Sequence, residues 1–186
     1  MRSSRRLLVL FALLLSLYVV FEVLGIRAQF KLETLQALIL LHPVSGLLLF
    51  TLLFALGNLI QIPGWIFLAA AVLALGQLYG GIATYLAACV SCVVTYCTIR
   101  YLGGDALREL DNRLAKRLLS GLDRHPLASI IALRVLFQTV PALNYALALS
   151  GVPFRTYLLG TLLGLPLPIA LYCLFFEYLA RLLNIN

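Results

Sequence analysis

Residues 132–151 read ALRVLFQTVPALNYALALSG. The stretch is as apolar as a transmembrane helix, yet it contains Arg134, Pro141 and Asn144. Proline has no N–H to donate and clashes with the preceding helical turn, so a helix cannot easily continue through Pro141. At membrane depth, an interrupted helix and a buried guanidinium group are tolerated only where protein or a water-filled cavity surrounds them. The stretch therefore predicts two half-helices joined at Pro141 inside a larger membrane-embedded fold.

The composition of the whole chain is that of a multi-spanning membrane protein. Of its 186 residues, 63% are hydrophobic and 11% are charged, which would leave a soluble domain of this size with too much exposed apolar surface. No residue from 34 to 99 is charged, and this run is long enough for about three spans of about 20 residues each. We therefore expect an all-α polytopic integral membrane protein. We also expect it to lie in a bacterial cytoplasmic (inner) membrane.

Basic residues predict the orientation of the chain. Arg2, Arg5 and Arg6 precede the first apolar run, and a second basic cluster lies within residues 100–124. By the positive-inside rule, both lie in the cytoplasm and residues 22–33 lie outside. Glu22 and the sequence around Ala28 make a poor cleavage site, so the first apolar run is expected to be a retained anchor. No exposed aromatic residues accompany the basic clusters, and we expect no nucleic-acid partner.

A first broken helix is predicted around Pro63-Gly64, a dipeptide that signals a turn. Because residues 22–33 are outside and Arg100 is inside, the chain between them must cross the membrane an odd number of times. A re-entrant hairpin broken at Pro63, followed by one crossing, satisfies this requirement. Three full crossings also satisfy it, but they would put Pro63-Gly64 at an aqueous surface with few polar residues to form the loop. We favour the hairpin.

The region around Pro141 repeats this design. IQIPGWIFLAAAVLALG begins at Ile60 and ends at Gly76, whereas FQTVPALNYALALSG begins at Phe137 and ends at Gly151. The similarity of the two segments predicts two repeats, each a re-entrant hairpin, that enter the membrane from opposite sides. Interrupted apolar segments at matching positions of two halves are typical of transporters with a site at the membrane midplane.

Each segment of the chain thus has a predicted place. The predicted organisation is an N-terminal anchor and outer loop (1–33) followed by a membrane domain (34–186), which contains a hairpin (44–77), a transmembrane helix (82–99), a cytoplasmic amphipathic helix (105–120), a second hairpin (126–151) and a last transmembrane helix (155–183). Leucines at helical spacing and basic residues on the opposite side predict that the amphipathic helix lies on anionic lipid headgroups.

Arg134 is the leading candidate for a functional side chain. It lies about 12 Å along a helix from Pro126 at 1.5 Å per residue, and an arginine at such depth is usually functional. The alternative is a side chain that extends back to the membrane surface. Asn144, Gln61 and Asn58 are the other candidates for substrate binding, although each could instead cap a broken helix. Four residues are expected to form the hairpin turns: Pro63, Gly64, Pro141 and Gly151.

Several kinds of chemistry find no support in the sequence. Cys89 and Cys92 have CxxC spacing, but no second pair or nearby histidine completes a zinc set, so packing is favoured over a redox role. No GxSxG or HExxH motif is present, and Ser91, Ser129 and Ser150 have no histidine base in a plausible constellation. We expect no metal, no cofactor and no enzymatic activity.

Short glycine- and proline-based motifs recur in a recognisable order. They are Ile62-Pro63-Gly64, Gly76, Gly80-Gly81 and Arg100-Tyr101-Leu102-Gly103 in the first half, and Arg134, Pro141, Asn144-Tyr145-Ala146-Leu147, Gly151, Tyr157, Gly160-Thr161, Gly164 and Pro166 in the second. Over about residues 57–168, the chain resembles the DedA superfamily, also called SNARE-associated or VTT-domain proteins, and within it the branch related to yeast Tvp proteins.

The resemblance implies two facing re-entrant hairpins and a role in moving lipids or in proton-coupled transport. The better-known bacterial branch has an acidic residue in the first hairpin and a second arginine in the second hairpin. In this chain Gln61 and Asn58 occupy the first hairpin, and Asn144 stands where a second cation is expected. We therefore expect a transporter, flippase or scramblase that moves a lipid phosphate, or another anion, past Arg134. The alternative is a non-transporting scaffold or bilayer-organising protein.

The expected partners are membrane lipids, phospholipid or polyprenyl phosphate, with assembly into a homo-oligomer left open.

Overall fold

The computed structural model describes residues 43–104, 113–138 and 142–182, together with the single positions 19, 107 and 140. The predicted N-terminal anchor and Pro141 lie outside the described residues. The helices are α1 (Pro43–Leu59), α2 (Gly64–Gly103), α3 (Arg113–Arg124), α4 (Pro126–Phe137), α5 (Ala142–Leu149), α6 (Phe154–Gly164) and α7 (Pro166–Leu182). No β-strand occurs in this part of the chain, which confirms the all-α prediction.

Some helices differ in extent from the predicted segments. The predicted crossing 82–99 is part of the longer α2, which ends at Gly103. Within its described part, the amphipathic helix continues to Arg124, four residues beyond the predicted end at residue 120. The predicted last helix, 155–183, is divided into α6 and α7 at Leu165, just before Pro166. Leu165 keeps helical angles, with φ −78° and ψ −33°, and the break arises because Pro166 has no N–H to donate to the preceding turn.

Two stretches of the described chain are long and apolar enough to cross a membrane. They are Gly64–Gly103 and Phe154–Phe176, which runs through the break between α6 and α7. Val44–Leu59 and Pro126–Phe137 are apolar but shorter. Large apolar side chains point outward from these helices; Leu48, Leu78 and Leu163, for example, are 61–67% exposed. A continuous apolar surface of this kind is what a lipid-facing protein requires.

The first hairpin, which we call hairpin A, consists of α1 and residues 64–75 of α2. Residues 60–63 join them, and Pro63 is extended, with φ −60° and ψ 130°. The rings of Phe54 and Phe67 lie on opposite sides of this turn with centroids 4.7 Å apart. The two helices of hairpin A are therefore antiparallel and closely packed.

A second reversal follows at Gly76, whose φ is 79° and ψ 173°. Only glycine readily adopts this conformation. The chain folds back sharply: a Cβ added at Gly80 would lie 2.5 Å from the carbonyl oxygen of Ala71, although nine residues of a straight helix would separate them by about 13 Å. Residues 77–103, which we call α2b, therefore run in the same direction as α1.

The second hairpin, hairpin B, consists of α4 and α5. The chain reverses again after it, at Gly151, whose φ is 83°. After this reversal α6 runs parallel to α4. Cβ atoms added at Gly160 and Gly164 would lie 2.6 Å from Ile130 and 2.7 Å from Arg134, respectively. Each half of the molecule is thus a helical hairpin that packs along a longer apolar stretch of helix.

The two halves run in opposite directions. Tyr96 of α2b stacks on Tyr157 of α6 with ring centroids 4.6 Å apart, the hydroxyl group of Tyr85 donates to the carbonyl of Leu162, and Gly81 lies beside Cys173. As residue numbers fall along α2b, those of its partners rise along α6 and α7, so these helices are antiparallel. Hairpin A and hairpin B consequently point toward each other. Their re-entrant placement in a membrane stays a prediction.

Candidate functional site

Arg134 lies where the two hairpins meet. It belongs to the last turn of α4, and its side chain is 1% exposed. The close approach of α4 and α6 at Gly164 brings the guanidinium group against the face of α6. The side chain is therefore enclosed by protein rather than extended to a surface.

All hydrogen-bond acceptors of Arg134 in the described chain are neutral. Its Nη1 donates to Oδ1 of Asn144 over 2.5 Å, and its Nη2 donates to the hydroxyl oxygens of Tyr157 and Thr161 over 3.0 and 3.1 Å. The guanidinium carbon also lies 5.3 Å from the centre of the Tyr157 ring, within the range of a cation–π interaction. Nε has no partner among the described residues.

A guanidinium group has only donors, and this fixes the orientation of the neighbouring amides. Oδ1 of Asn144 must face Arg134, so Nδ2 of Asn144 donates to Oδ1 of Asn58, 2.8 Å away. Nδ2 of Asn58 then donates to the hydroxyl oxygens of Ser91 and Thr95 at 2.9 and 3.1 Å. This polar chain, Arg134–Asn144–Asn58, runs from hairpin B into hairpin A with one consistent direction of donation.

Asn58 and Arg134 occupy corresponding positions in the two halves. Asn58 binds Ser91 and Thr95, two hydroxyl residues one turn apart on the helix that runs parallel to α1. Arg134 binds a similar pair, Tyr157 and Thr161, on the helix that runs parallel to α4. The inverted arrangement therefore places a neutral amide on one side and a cation on the other, with Asn144 between them.

A second contact joins the two hairpins at their tips. The hydroxyl group of Tyr145, on α5, donates to the backbone carbonyl of Leu59 at the end of α1. This carbonyl is one of the last of its helix and has no intrahelical donor. Tyr145 thus satisfies a backbone group that the break before Pro63 leaves free.

Three of the four predicted binding residues come together in the structure. Arg134, Asn144 and Asn58 form the polar chain, and Asn58 is 6% exposed. Gln61 lies in the turn of hairpin A with a positive φ of 66°, and its buried Nε2 has no partner among the described residues.

The structure also places the predicted turn residues. Pro63 and Gly64 lie where α2 begins, and a Cβ on Gly64 would meet the Phe54 ring at 3.3 Å. Gly151 lies at the reversal after hairpin B. Pro141 lies outside the described residues.

Sequence reasoning assigned no role to the hydroxyl residues around this site. Ser91 was considered only as a nucleophile and Thr95 not at all, and Tyr145 entered only as a motif residue of the resemblance. Tyr157 and Thr161 entered only as motif residues of the resemblance. A usable signal is present in the sequence: two pairs of hydroxyl residues, each four apart, lie in helices that are otherwise apolar and therefore share a helix face.

The comparisons with known proteins identify the family of the chain. Residues 62–178 match the model of the VTT domain. The chain belongs to the VTT domain family. The match confirms the resemblance to the DedA and SNARE-associated proteins, and with the membrane-capable helices it identifies an integral membrane protein. The VTT domain match begins at the tip of hairpin A and covers all of hairpin B, whereas α1 and Asn58 precede it. No curated protein and no solved structure matched the chain.

Proposed function

We propose that this protein is a transporter of the cytoplasmic membrane that moves an anion, with a lipid phosphate as the preferred substrate, past Arg134. Hairpins A and B enter the membrane from opposite sides and meet near its midplane. The observation that carries the proposal is a fully buried guanidinium group between two facing hairpins, whose hydrogen-bond partners in the described chain are all neutral. Intramembrane cations are costly and are retained mainly at sites of function.

The charge of Arg134 determines which substrate the site favours. Burying a cation without a counter-charge costs several kcal/mol, and neutral acceptors offset only part of that cost at about 1.5–3 kcal/mol each. An anion would offset more, because it adds a direct charge–charge attraction that the neutral acceptors lack. The free Nε–H leaves the guanidinium able to accept a further partner.

The described conformation corresponds to an occluded state on this proposal. Asn144 occupies Nη1 and Tyr145 closes the tip of hairpin A, so neither side of the membrane reaches Arg134. Movement of one hairpin would break the contacts of Asn144 and Tyr145 and expose Arg134 to that side. Movement of the other hairpin would expose it to the opposite side, which gives alternating access to a fixed site.

A non-transporting scaffold is the second candidate, and one observation favours it. Arg134 is enclosed, and three of its five N–H groups are already hydrogen-bonded, as expected for an internal strut between helices. The two candidates differ in whether the guanidinium is needed for movement of lipid or only for stability.

Reconstitution into liposomes separates them. Transbilayer movement of a labelled phospholipid and a labelled polyprenyl phosphate is measured for wild type, Arg134→Gln and Arg155→Gln. Arg155 is an exposed arginine at the start of α6 and provides the matched control. We expect Arg134→Gln to slow movement about 10- to 100-fold, the equivalent of one charge-assisted contact, and Arg155→Gln to leave it unchanged. Equal rates in protein-free, wild-type and Arg134→Gln vesicles would rule out transport of these lipids.

A further inference from the structure

A small cavity lies where hairpin B reaches the start of α2, and Gln138 in its lining is one helical turn beyond Arg134. Its lining includes Thr84 of α2b, Gln138 at the end of α4, and Gly64 and Trp65 in the first turn of α2. The volume is about 20 Å³, which exceeds the roughly 10–15 Å³ that one water molecule requires. A volume of this size holds one water molecule or one monatomic ion.

Two buried polar atoms that line this cavity lack partners. Oγ1 of Thr84 and Oε1 of Gln138 find no hydrogen-bond partner among the described residues, and Thr84 is only 2% exposed. Buried polar groups are nearly always hydrogen-bonded, so two orphans in one cavity require an explanation. A single ligand that contacts both atoms would provide one.

The first turn of α2 adds donors to the same cavity. The amide of Ile66 already donates to the carbonyl of Pro63, whereas those of Gly64 and Trp65 have no intrahelical acceptor. No side chain caps this helix, because its N-cap residue is Pro63. The cavity therefore combines backbone N–H groups, a hydroxyl group that both donates and accepts, and an amide oxygen that only accepts.

This mixture of groups determines the chemistry of the ligand. A hard divalent cation takes about six or more oxygen ligands, more than the three side-chain oxygens of the lining supply, which belong to Thr84, Gln138 and Tyr172. An anion would be repelled by Oε1 of Gln138. Water can accept from the amides or from Thr84 and can donate to Gln138, and buried waters typically make about three such bonds.

We propose that this cavity holds an ordered water molecule that bridges Thr84, Gln138 and the first turn of α2. The water links Gln138 of hairpin B to the tip of hairpin A at the first turn of α2. The site is independent of the proposed transport at Arg134, since none of its polar groups belongs to the polar chain.

X-ray hydroxyl-radical footprinting of the full chain in detergent tests the proposal, because a bound water generates radicals beside its neighbours. Phe54 lines the cavity and is 5% exposed, whereas Phe50 and Phe67, at 2% and 7%, do not line it and serve as internal controls. We expect Phe54 to be oxidised several-fold faster than both controls. We also expect Thr84→Val, which keeps the shape but removes the hydroxyl group, to reduce the oxidation of Phe54 to the level of the controls.

Thermal unfolding gives an independent measurement on the same variant. If the water is bound, Thr84→Val removes one of its partners and lowers the melting temperature. If the cavity is dry, the substitution removes an unsatisfied hydroxyl group and raises the melting temperature. Oxidation of Phe54 at the rate of Phe50 and Phe67, or a more stable Thr84→Val variant, overturns the proposal.

Discussion

At the scale of single residues, the tyrosine beside Arg134 connects the cation to the rest of the fold. The hydroxyl group of Tyr157 accepts from Arg134 and donates to the carbonyl of Cys92, 3.1 Å away. We expect Tyr157→Phe to lower the free energy of unfolding by about 1.5–3 kcal/mol, because a bond to a charged group is lost and a buried carbonyl loses its donor. The aromatic ring and its cation–π contact remain.

Tyr172→Phe is the matched control for this prediction. Its hydroxyl group makes no hydrogen bond within the described chain, and its ring stacks on Phe176. Titration with sodium dodecyl sulfate, followed by circular dichroism, measures both variants. A loss of stability for Tyr172→Phe as large as that for Tyr157→Phe would show that the hydroxyl group beside Arg134 contributes nothing specific.

A substitution at Asn144 distinguishes the proposed transporter, in which this contact opens, from a scaffold, in which it only stabilises the fold. Asn144→Asp places a carboxylate against Arg134, and the amide of Asn58 can rotate to donate to it while accepting from Ser91 and Thr95. The buried charge is then neutralised by a strong ion pair. We expect the variant to be more stable than wild type by about 1–3 kcal/mol. We also expect it to move lipid about tenfold more slowly, or slower still, because each 1.4 kcal/mol added to the cost of opening lowers the population of the open state tenfold.

The matched control for this prediction is Asn144→Ala, which removes the bridge between the hairpins. We expect it to lose stability. Stability is measured by the same detergent titration and transport in the liposome assay. An Asn144→Asp variant that is stabilised but moves lipid at the wild-type rate would mean that the polar chain does not open during transport.

At the scale of elements, the reversal at Gly76 determines the direction of α2b. A Cβ at Gly76 would meet no atom within 4 Å, so a substitution there tests backbone conformation alone. We expect Gly76→Ala to lower the free energy of unfolding by about 1–3 kcal/mol, since its φ and ψ are essentially restricted to glycine.

Gly121→Ala is the matched control for the reversal at Gly76. Gly121 lies inside α3, where a Cβ would make an ordinary 3.5 Å contact with Ser129. Alanine is the better helix former, so this substitution should raise stability by about 0.5–1 kcal/mol. Detergent titration of both variants gives the comparison, and effects of the same sign would contradict it.

The helix breaks were predictable from the sequence because they depend on local chemistry. Proline cannot donate to the helix at position 63, and only glycine readily takes the φ and ψ observed at position 76. The partners of Arg134 were not predictable in this way. Tyr157 and Thr161 reach it through the packing of α6 on α4 at Gly164, which depends on tertiary structure. Asn58 and Asn144 were as plausible as caps, whereas their side chains bond to each other.

At the scale of the whole molecule, the antiparallel halves make a prediction about membrane sidedness. Because α2b runs in the direction of α1 and α6 runs in the direction of α4, the starts of the two hairpins lie at opposite ends of the molecule. Val44 at the start of α1 is 74% exposed, and His125 just before α4 is also exposed. If hairpins A and B are re-entrant, these two positions face opposite aqueous phases, with His125 on the cytoplasmic side.

Cysteine labelling tests this arrangement in intact cells and in inverted vesicles. Cys89, Cys92, Cys97 and Cys173 are first replaced by alanine, and then single cysteines are introduced as Val44→Cys, His125→Cys and Leu59→Cys. A membrane-impermeant maleimide should label Val44→Cys only from outside and His125→Cys only from the cytoplasm. Leu59→Cys should react from neither side, because the tip of hairpin A ends against Tyr145 inside the protein. Labelling of Leu59→Cys from the cytoplasm would mean that α1 crosses the membrane completely, and the two hairpins could then not meet at Arg134 from opposite sides.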